Sequence, residues 1–373
     1  MDIDHDVDDD SVVQQHHPLK RLKPTPPTLY NLLVANADVP YEVCRWLPAE
    51  DLINFYAVCK DFHRLINGQL TTLILGNARN RMPESAAVFR FKVYKTLCML
   101  DAAGNRSAEK AGVRDVPSLR WLRFLEFREA TVDSIIYELA LKGLRLPRAA
   151  SRVIKKIWFI MDMSDTKRRI GIVHNARLWS DAELYMACMF WVKLDMACTD
   201  PINGSSGERR MRRMLMSQRS LSVTERVLKR QMMRNQYEML QMFAKWQLGR
   251  HAMPPPQIDY RQWPRTIFNV DMSEVSALRC ENWTRGNRYL MRPDELVMKE
   301  SIRRGLGFKD KLIDMMLWGN IHPVSGEDVF PRDWKGDVVV CFADEVEKMV
   351  ERDIEVHASP EGTQFDWDQT DTE

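Results

Sequence analysis

The chain has 373 residues, of which 45% are hydrophobic and 28% are charged. This apolar content is enough for one large core or two modest ones, and it excludes a chain that is disordered throughout. The 54 basic residues nearly balance the 52 acidic ones, so no net charge steers the protein toward nucleic acid.

The first 28 residues are poor in apolar side chains, and six of the first ten are aspartate. They end in the proline-rich run 24–27, which is typical of extended chain. We predict a disordered leader at 1–28 and a disordered acidic tail at 351–373. An acidic start of this kind is unlike a secretory or mitochondrial presequence.

Three short helices joined by tight turns are predicted between residues 36 and 68. Asn36 can cap the first through its side-chain oxygen, and the carboxylate of Asp38 favours the positive end of the helix dipole. Its first turn tolerates Pro40, because amides there have no intrahelical acceptor to lose. Apolar residues recur along one face at a four-residue step. They are Val39, Val43 and Leu47.

The pair Leu47-Pro48 separates the first helix from the second, because Pro48 presets the first turn of a new helix. The third helix follows Cys59 and ends at Gly68, which we expect in the left-handed conformation. A unit of this size buries too little surface to be stable alone. The segment is therefore expected to need a partner, or else to be a helical hairpin that caps the next domain.

The order of residues in this segment resembles that of the F-box in fungal proteins. The family pattern has an acidic start, an apolar helix, a Leu-Pro turn, an Asp-Leu pair and Val-Cys-Lys before a closing isoleucine. The chain follows this pattern without a gap over about 33–68. The matching residues are Asp38, Val43, Leu47, Pro48, Asp51, Leu52, Val58, Cys59, Lys60 and Ile66.

The resemblance implies a module that docks on the Skp-type adaptor of a cullin–RING ubiquitin ligase, while the rest of the chain selects a protein substrate. Such a subunit is not an enzyme. It would raise the effective concentration of substrate lysines near a conjugating enzyme on the same scaffold. The predicted adaptor-binding residues supply a buried apolar anchor. They are Val39, Val43, Leu47, Pro48, Leu52, Val58, Cys59, Phe62, Leu65 and Ile66.

The rest of the chain is predicted to be mainly helical. The F-box unit would occupy 29–75, including a short apolar tail at 70–75, and a loop at 77–84 would follow. Residues 85–250 are rich in helix formers and would build an irregular multi-helix domain that recruits the substrate. A helical and irregular extension at 257–350 would pack on it. No WD, kelch or leucine-rich period occurs, which excludes the commonest substrate readers.

Two capping boxes are predicted in the multi-helix region. Ser180 and Glu183 have the spacing in which a hydroxyl and a carboxylate satisfy reciprocal backbone amides, so a buried helix is expected after them. Ser222 and Glu225 repeat this spacing before an amphipathic stretch that we expect to end near Trp246. Both signals predict that a helix begins at these positions, directly after a loop.

The stretch 209–234 is the one local concentration of positive charge. A basic helix with interleaved methionines is compatible with a phosphorylated peptide, nucleic acid or anionic lipid, and equally with a solvated face that balances the acidic tails. The alternative function is thus an interaction module outside ubiquitination that binds acidic or phosphorylated partners. The residues concerned are Arg209, Arg210, Arg212, Arg213, Arg226, Lys229 and Arg230.

No catalytic signature is found. The glycines Gly305 and Gly307 resemble half of a phosphate loop, but no strand precedes them, so they favour a helix C-terminus. Histidines such as His174 are isolated and are expected to be structural. We therefore expect no enzymatic activity, no cofactor and no metal. The run 338–342 is the only convincing strand-like sequence.

The seven cysteines are odd in number, widely spaced and mostly embedded in apolar helical sequence. This pattern predicts free, buried thiols in a reducing compartment. The longest apolar run, near residue 184, is too short to span a bilayer. We expect a cytoplasmic or nuclear protein, or one that occupies both compartments, with no membrane partner.

Overall fold

The computed structural model describes residues 33, 36, 38–100, 115–199, 211–247, 265–283, 288–321 and 328–329. Helices make up most of these residues, and the strands among them form three short antiparallel pairs, which confirms the mainly α class. Some predictions concern positions outside the described residues. They are the leader 1–28, the acidic tail 351–373, the run 338–342, Arg209 and Arg210.

The described chain begins with five helices in close succession. They are α1 (Asp38–Cys44), α2 (Ala49–Val58), α3 (Lys60–Gly68), α4 (Leu70–Arg81) and α5 (Pro83–Val88). The loop predicted at 77–84 was therefore wrong, because this stretch lies almost wholly within α4 and α5. The prediction for Gly68 was also wrong. This residue is the last of α3 and is not among the positive-φ glycines, and Gln69 follows it as the cap.

The remaining described helices follow a short strand pair. They are α6 (Leu119–Leu141), α7 (Ala150–Asp162), α8 (Thr166–His174), α9 (Asp181–Thr199), α10 (Met211–Leu215), α11 (Ser222–Leu228), α12 (Gln236–Gln247), α13 (Pro293–Arg303) and α14 (Leu312–Leu317). The strand pairs are β1 (Cys98–Leu100) with β2 (Asp115–Pro117), β3 (Thr266–Ile267) with β4 (Val270–Asp271), and β5 (Asn320–Ile321) with β6 (Asp328–Val329).

The central helix is α9, of whose 19 residues 12 are buried. It packs against α7, α13 and α14. Its start is the predicted capping box, which is confirmed: the Ser180 amide donates to Glu183 Oε2 at 3.0 Å, and the Glu183 amide donates to Ser180 Oγ at 3.3 Å. Local sequence thus sets where the most buried helix begins.

The second predicted box does not form. Ser222 is the first residue of α11, the cap is Leu221, whose side chain accepts no bond, and the Ser222 amide donates instead to Ser220 Oγ at 3.1 Å. The helix ends at Leu228, because Arg230 and Met233 take positive φ angles of 56° and 58° that break the helical path. The long stretch expected to run from residue 222 to near Trp246 is therefore two helices, α11 and α12.

Two helix ends follow the predicted glycine rule. Gly143 has a φ of 74°, and the Leu144 amide donates to the Leu139 carbonyl at 2.9 Å. Gly305 has a φ of 69° just after α13, and the next amide donates to the Ser301 carbonyl at 3.0 Å. Both ends have the hydrogen bond of a Schellman cap. The prediction that Gly305 ends a helix is confirmed.

One apolar core runs from the first helices to the last. It includes Cys44 of α1, Leu52 of α2, Ile157 of α7, Phe190 of α9 and Met315 of α14. The apolar side chains of helices α1–α3 thus belong to the same core as those of the helices that follow. This shared core is where so small a segment buries its apolar side chains. The six cysteines in the described part of the chain are free thiols, as predicted, but only Cys44, Cys188 and Cys198 are buried, and the other three are half-buried.

Candidate docking site

The first helix divides its apolar residues between two faces. Pro40 and Cys44 are buried, whereas Val39 and Val43 are 48% and 42% exposed. Trp46, in the turn that continues the helix, is 62% exposed, and its amide donates to the Val43 carbonyl at 3.0 Å. Spacings of four and three residues place the three exposed side chains on one face. We call Val39, Val43 and Trp46 the α1 face.

The ten predicted adaptor-binding residues fall into three groups in the structure. Val39, Val43 and Val58 are exposed, Leu47, Pro48, Cys59 and Leu65 are half-buried, and Leu52, Phe62 and Ile66 are buried. Buried members hold α2 and α3 together, as in the stacked rings of Phe55 and Phe62, whose centroids are 4.4 Å apart. A partner that docks on the segment as it is folded in this structure would contact the exposed members first. Trp46 was missed, although its place on the helical repeat of Val39 and Val43 was a usable signal.

Side chains of α4 and α6 hold the Leu47-Pro48 turn in place through hydrogen bonds. Asn77 Nδ2 donates to the carbonyls of Cys44 at 2.9 Å and Leu47 at 2.7 Å, and Arg81 Nη1 donates to Leu47 at 3.1 Å. The Ala49 amide, at the start of α2, donates to Glu126 Oε1 at 2.9 Å. Arg81 also pairs with this carboxylate. These bonds satisfy backbone groups that the turn leaves unpaired.

An exposed polar network joins α2 to α3 beside the apolar contacts. Tyr56 Oη lies 2.7 Å from His63 Nε2 and donates to Asn67 Oδ1 at 3.0 Å, while Asn67 Nδ2 lies 3.2 Å from His63 Nδ1. With the proton of the neutral imidazole on Nε2, each of these groups has a donor opposite an acceptor. The network therefore braces the helix pair, and its three members are all engaged with one another.

The thiol closest to the α1 face is buried on the opposite side. Burial raises the pKa of Cys44 to about 11, so this thiol stays protonated at neutral pH. Burial likewise raises the pKa of Cys188, in α9, to about 12. Both side chains are packing groups rather than nucleophiles.

The basic stretch is not one helix. Its described part, 211–234, contains α10, the turn after it and α11, and the apolar residues Met211, Met214, Leu215 and Met216 are buried. Arg212 Nη1 lies 2.7 Å from Asp195 Oδ2, and Lys229 Nζ lies 2.7 Å from Glu225 Oε1. Arg213, Arg226 and Arg230 are exposed. Two of the predicted anion contacts are thus engaged in intramolecular ion pairs, and binding of an acidic partner stays a prediction.

No metal centre is present among the described residues, since they contain no group of three or more His, Cys, Asp or Glu side chains that could hold an ion. His174 lies 3.4 Å from Glu300. None of the helices described is both long and apolar enough to cross a membrane.

Comparison with known proteins finds no protein-family model, no curated protein and no solved structure that matches this chain.

Proposed function

We propose that this protein is the substrate-receptor subunit of a Skp–cullin–F-box type ubiquitin ligase. Helices α1–α3 would dock on the Skp-type adaptor, and the helices from α6 onward would present a protein substrate for ubiquitination. The observation that carries the proposal is the α1 face. Val39, Val43 and Trp46 are exposed on a helix whose other side is anchored in the core.

The composition of the α1 face supports a protein partner. A tryptophan that is 62% exposed beside two half-exposed valines offers a large apolar area to a partner, and tryptophan is enriched among residues that dominate binding energy. Burial of apolar surface contributes about 25 cal/mol per Å². Three such side chains supply the centre of an interface, and the half-buried Leu47 and Pro48 supply its margin.

The anchoring of the turn supports a docking role with a defined direction. Asn77 and Arg81 hold the Leu47 carbonyl from α4, and Glu126 holds the start of α2 from α6. A partner bound at the α1 face would therefore be oriented with respect to α6 and the helices that pack on it. A receptor needs this property, because its substrate must be held at a set position relative to the ligase.

The direct test is co-elution of the full chain with a Skp-type adaptor. We expect Val43→Asp with Trp46→Asp to reduce adaptor affinity by at least about 100-fold, because two charges enter an apolar interface. Ile302→Asp is the matched control, since Ile302 is 74% exposed on α13, far along the chain from the α1 face. Equal adaptor binding by the wild type and the double variant would sink the proposal.

Exposed positions are preferable to Leu47 and Pro48 in this test. Leu47 packs against the core, so its truncation would also disturb the fold. Salt dependence gives a second readout. Apolar docking is expected to persist at high salt, whereas binding of an acidic partner by arginines would weaken steeply.

A further inference from the structure

The longest described helix, α6, has an exposed stripe, and only its first member, Phe127, is known to touch the core, edge-on against Trp158 with ring centroids 5.9 Å apart. Its buried side is lined by Leu125, Val132, Ile135 and Leu139. On the other side Phe127, Tyr137 and Leu141 are 53%, 61% and 64% exposed, with exposed Ala130 and half-buried Ser134 between them. We call Phe127, Ala130, Ser134, Tyr137 and Leu141 the α6 seam.

The spacing of the α6 seam is that of a coiled coil. Its members follow one another at steps of three, four, three and four residues, which are the alternating core positions of a heptad repeat. The stripe from Phe127 to Leu141 spans fourteen residues, or about 21 Å at 1.5 Å per residue. A helix face with this repeat and this exposure can pack against a second helix along its length.

We propose that the α6 seam binds the α6 seam of a second copy of this chain, with the two helices antiparallel. This inference is independent of the proposed docking of α1–α3.

The sizes of the seam residues are self-complementary in the antiparallel arrangement. When Phe127 faces Tyr137 of the second copy, Tyr137 faces the other Phe127 by symmetry, and Ala130 faces Ser134 twice in between. Small residues in the middle allow close approach of the helices, and an aromatic pair closes each end. Every seam position from 127 to 137 thus has a counterpart of matching size.

The charges near the two ends of α6 favour the antiparallel orientation over the parallel one. The N-terminal half of the exposed side carries Arg120 and Arg123, and Glu138 lies in the C-terminal half. In the antiparallel register Arg123 lies opposite Leu141 of the second copy and within a helical turn of its Glu138. Arg120 then lies near the negative C-terminal end of the other helix. A parallel pair would instead place Arg123 against Arg123.

Two helices in contact over about 21 Å form an interface at the small end of the range for protein pairs. The association is therefore expected to depend on protein concentration. The test is light scattering coupled to size exclusion on the full chain, from low to high micromolar concentration. The wild type should pass from monomer to dimer, and Tyr137→Lys should stay monomeric with an unchanged circular dichroism spectrum. Ile302→Lys, at an exposed apolar position on α13, is the control and should dimerise.

Charge reversal tests the orientation. Arg123→Glu alone and Glu138→Arg alone should each weaken the dimer, because each places like charges together at both ends. An equimolar mixture of the two variants should restore it, because both ends then pair Glu with Arg. The Arg123 bond to Glu50 is solvent-exposed on both sides and contributes little to the fold.

A wild type that remains monomeric at high micromolar concentration would overturn the proposal, and so would a dimer that Tyr137→Lys leaves intact. A dimer that Tyr137→Lys breaks, but that the mixture of charge variants does not restore, would overturn the antiparallel register.

Discussion

The side-chain amide of Asn77 donates a 2.7 Å hydrogen bond to the carbonyl of Leu47, thirty residues earlier in the chain. The same amide donates to Cys44 at 2.9 Å, and the Asn77 side chain is fully buried. One residue of α4 thereby fixes the end of α1 and the turn into α2. These two bonds therefore help to set the orientation of the α1 face.

Asn77→Leu is expected to destabilise the protein, because the Cys44 carbonyl loses this donor and the Leu47 carbonyl keeps only its bond from Arg81. An unsatisfied buried group costs about 1–3 kcal/mol. Chemical denaturation should show the loss, and hydrogen exchange should show it concentrated in α1 and α2. Thr72→Leu, at an exposed position of the same helix, is the control and should change the free energy of unfolding by less than about 0.5 kcal/mol. Undiminished amide protection in α1 would contradict the role given to Asn77.

Arg128→Ala is expected to be among the most destabilising single substitutions. Its guanidinium forms a two-pronged bond with Asp162, at 2.6 and 2.8 Å, and lies 4.2 to 4.5 Å from the ring centroids of Phe124, Phe89 and Trp158. Removing one partner of a buried ion pair leaves an uncompensated charge and costs about 3–5 kcal/mol.

The exposed pair of Arg123 and Glu50 provides the comparison for this substitution. Its bond length is 2.8 Å, but both side chains are more than half exposed. Arg123→Ala should therefore cost less than about 1 kcal/mol in the same denaturant titration. If both arginine variants lost the same free energy of unfolding, the aromatic surroundings of Arg128 would add nothing to the stability of the fold.

Lys193 should make stability rise with pH above 8. The side chain is fully buried, and Nζ donates to the carbonyls of Met316 at 2.7 Å and Trp318 at 2.9 Å. Burial lowers the pKa of Lys193 from 10.5 to about 8. Between these values the unfolded chain binds a proton that the folded protein does not, so raising the pH favours the folded state.

The measurement is the difference in free energy of unfolding between the wild type and Lys193→Met. Other titrating groups are common to both proteins and cancel. The difference should move in favour of the wild type by at most about 3 kcal/mol between pH 8 and 10.5, and it should be flat below pH 7. A difference that is independent of pH up to 10.5 would contradict a lowered pKa for Lys193.

Cys44 and Cys188 should resist alkylation in the native protein. Both side chains are buried, and burial raises their pKa values to about 11 and about 12. Mass spectrometry after iodoacetamide treatment at pH 8 should find them unlabelled until denaturant is added. Cys59 is half-buried and serves as the internal reference, which should be labelled before Cys44 and Cys188. Native labelling of Cys44 at the rate of Cys59 would show that α1 detaches from the core.

Several local features could be predicted because their causes lie within a few residues. The Ser180 and Glu183 box forms since both partners are on the same turn. Gly143 and Gly305 end their helices since only glycine takes a positive φ without steric cost. The mainly α class follows from the same short-range signals. Helical periodicity also placed Val39 and Val43 on one face of α1, although it did not include Trp46 or say which side would be buried.

Only the tertiary structure decided which polar residues are interior. Residues 77–84 are polar and were predicted as a loop, but Asn77 and Arg81 bond to a turn thirty residues away and α4 continues through them. The rotation of α1, with Cys44 inward and Val43 outward, depends in the same way on α4 and α6. Such bonds join residues distant in sequence, so no local pattern records them, and the shared core determines them when the helices pack.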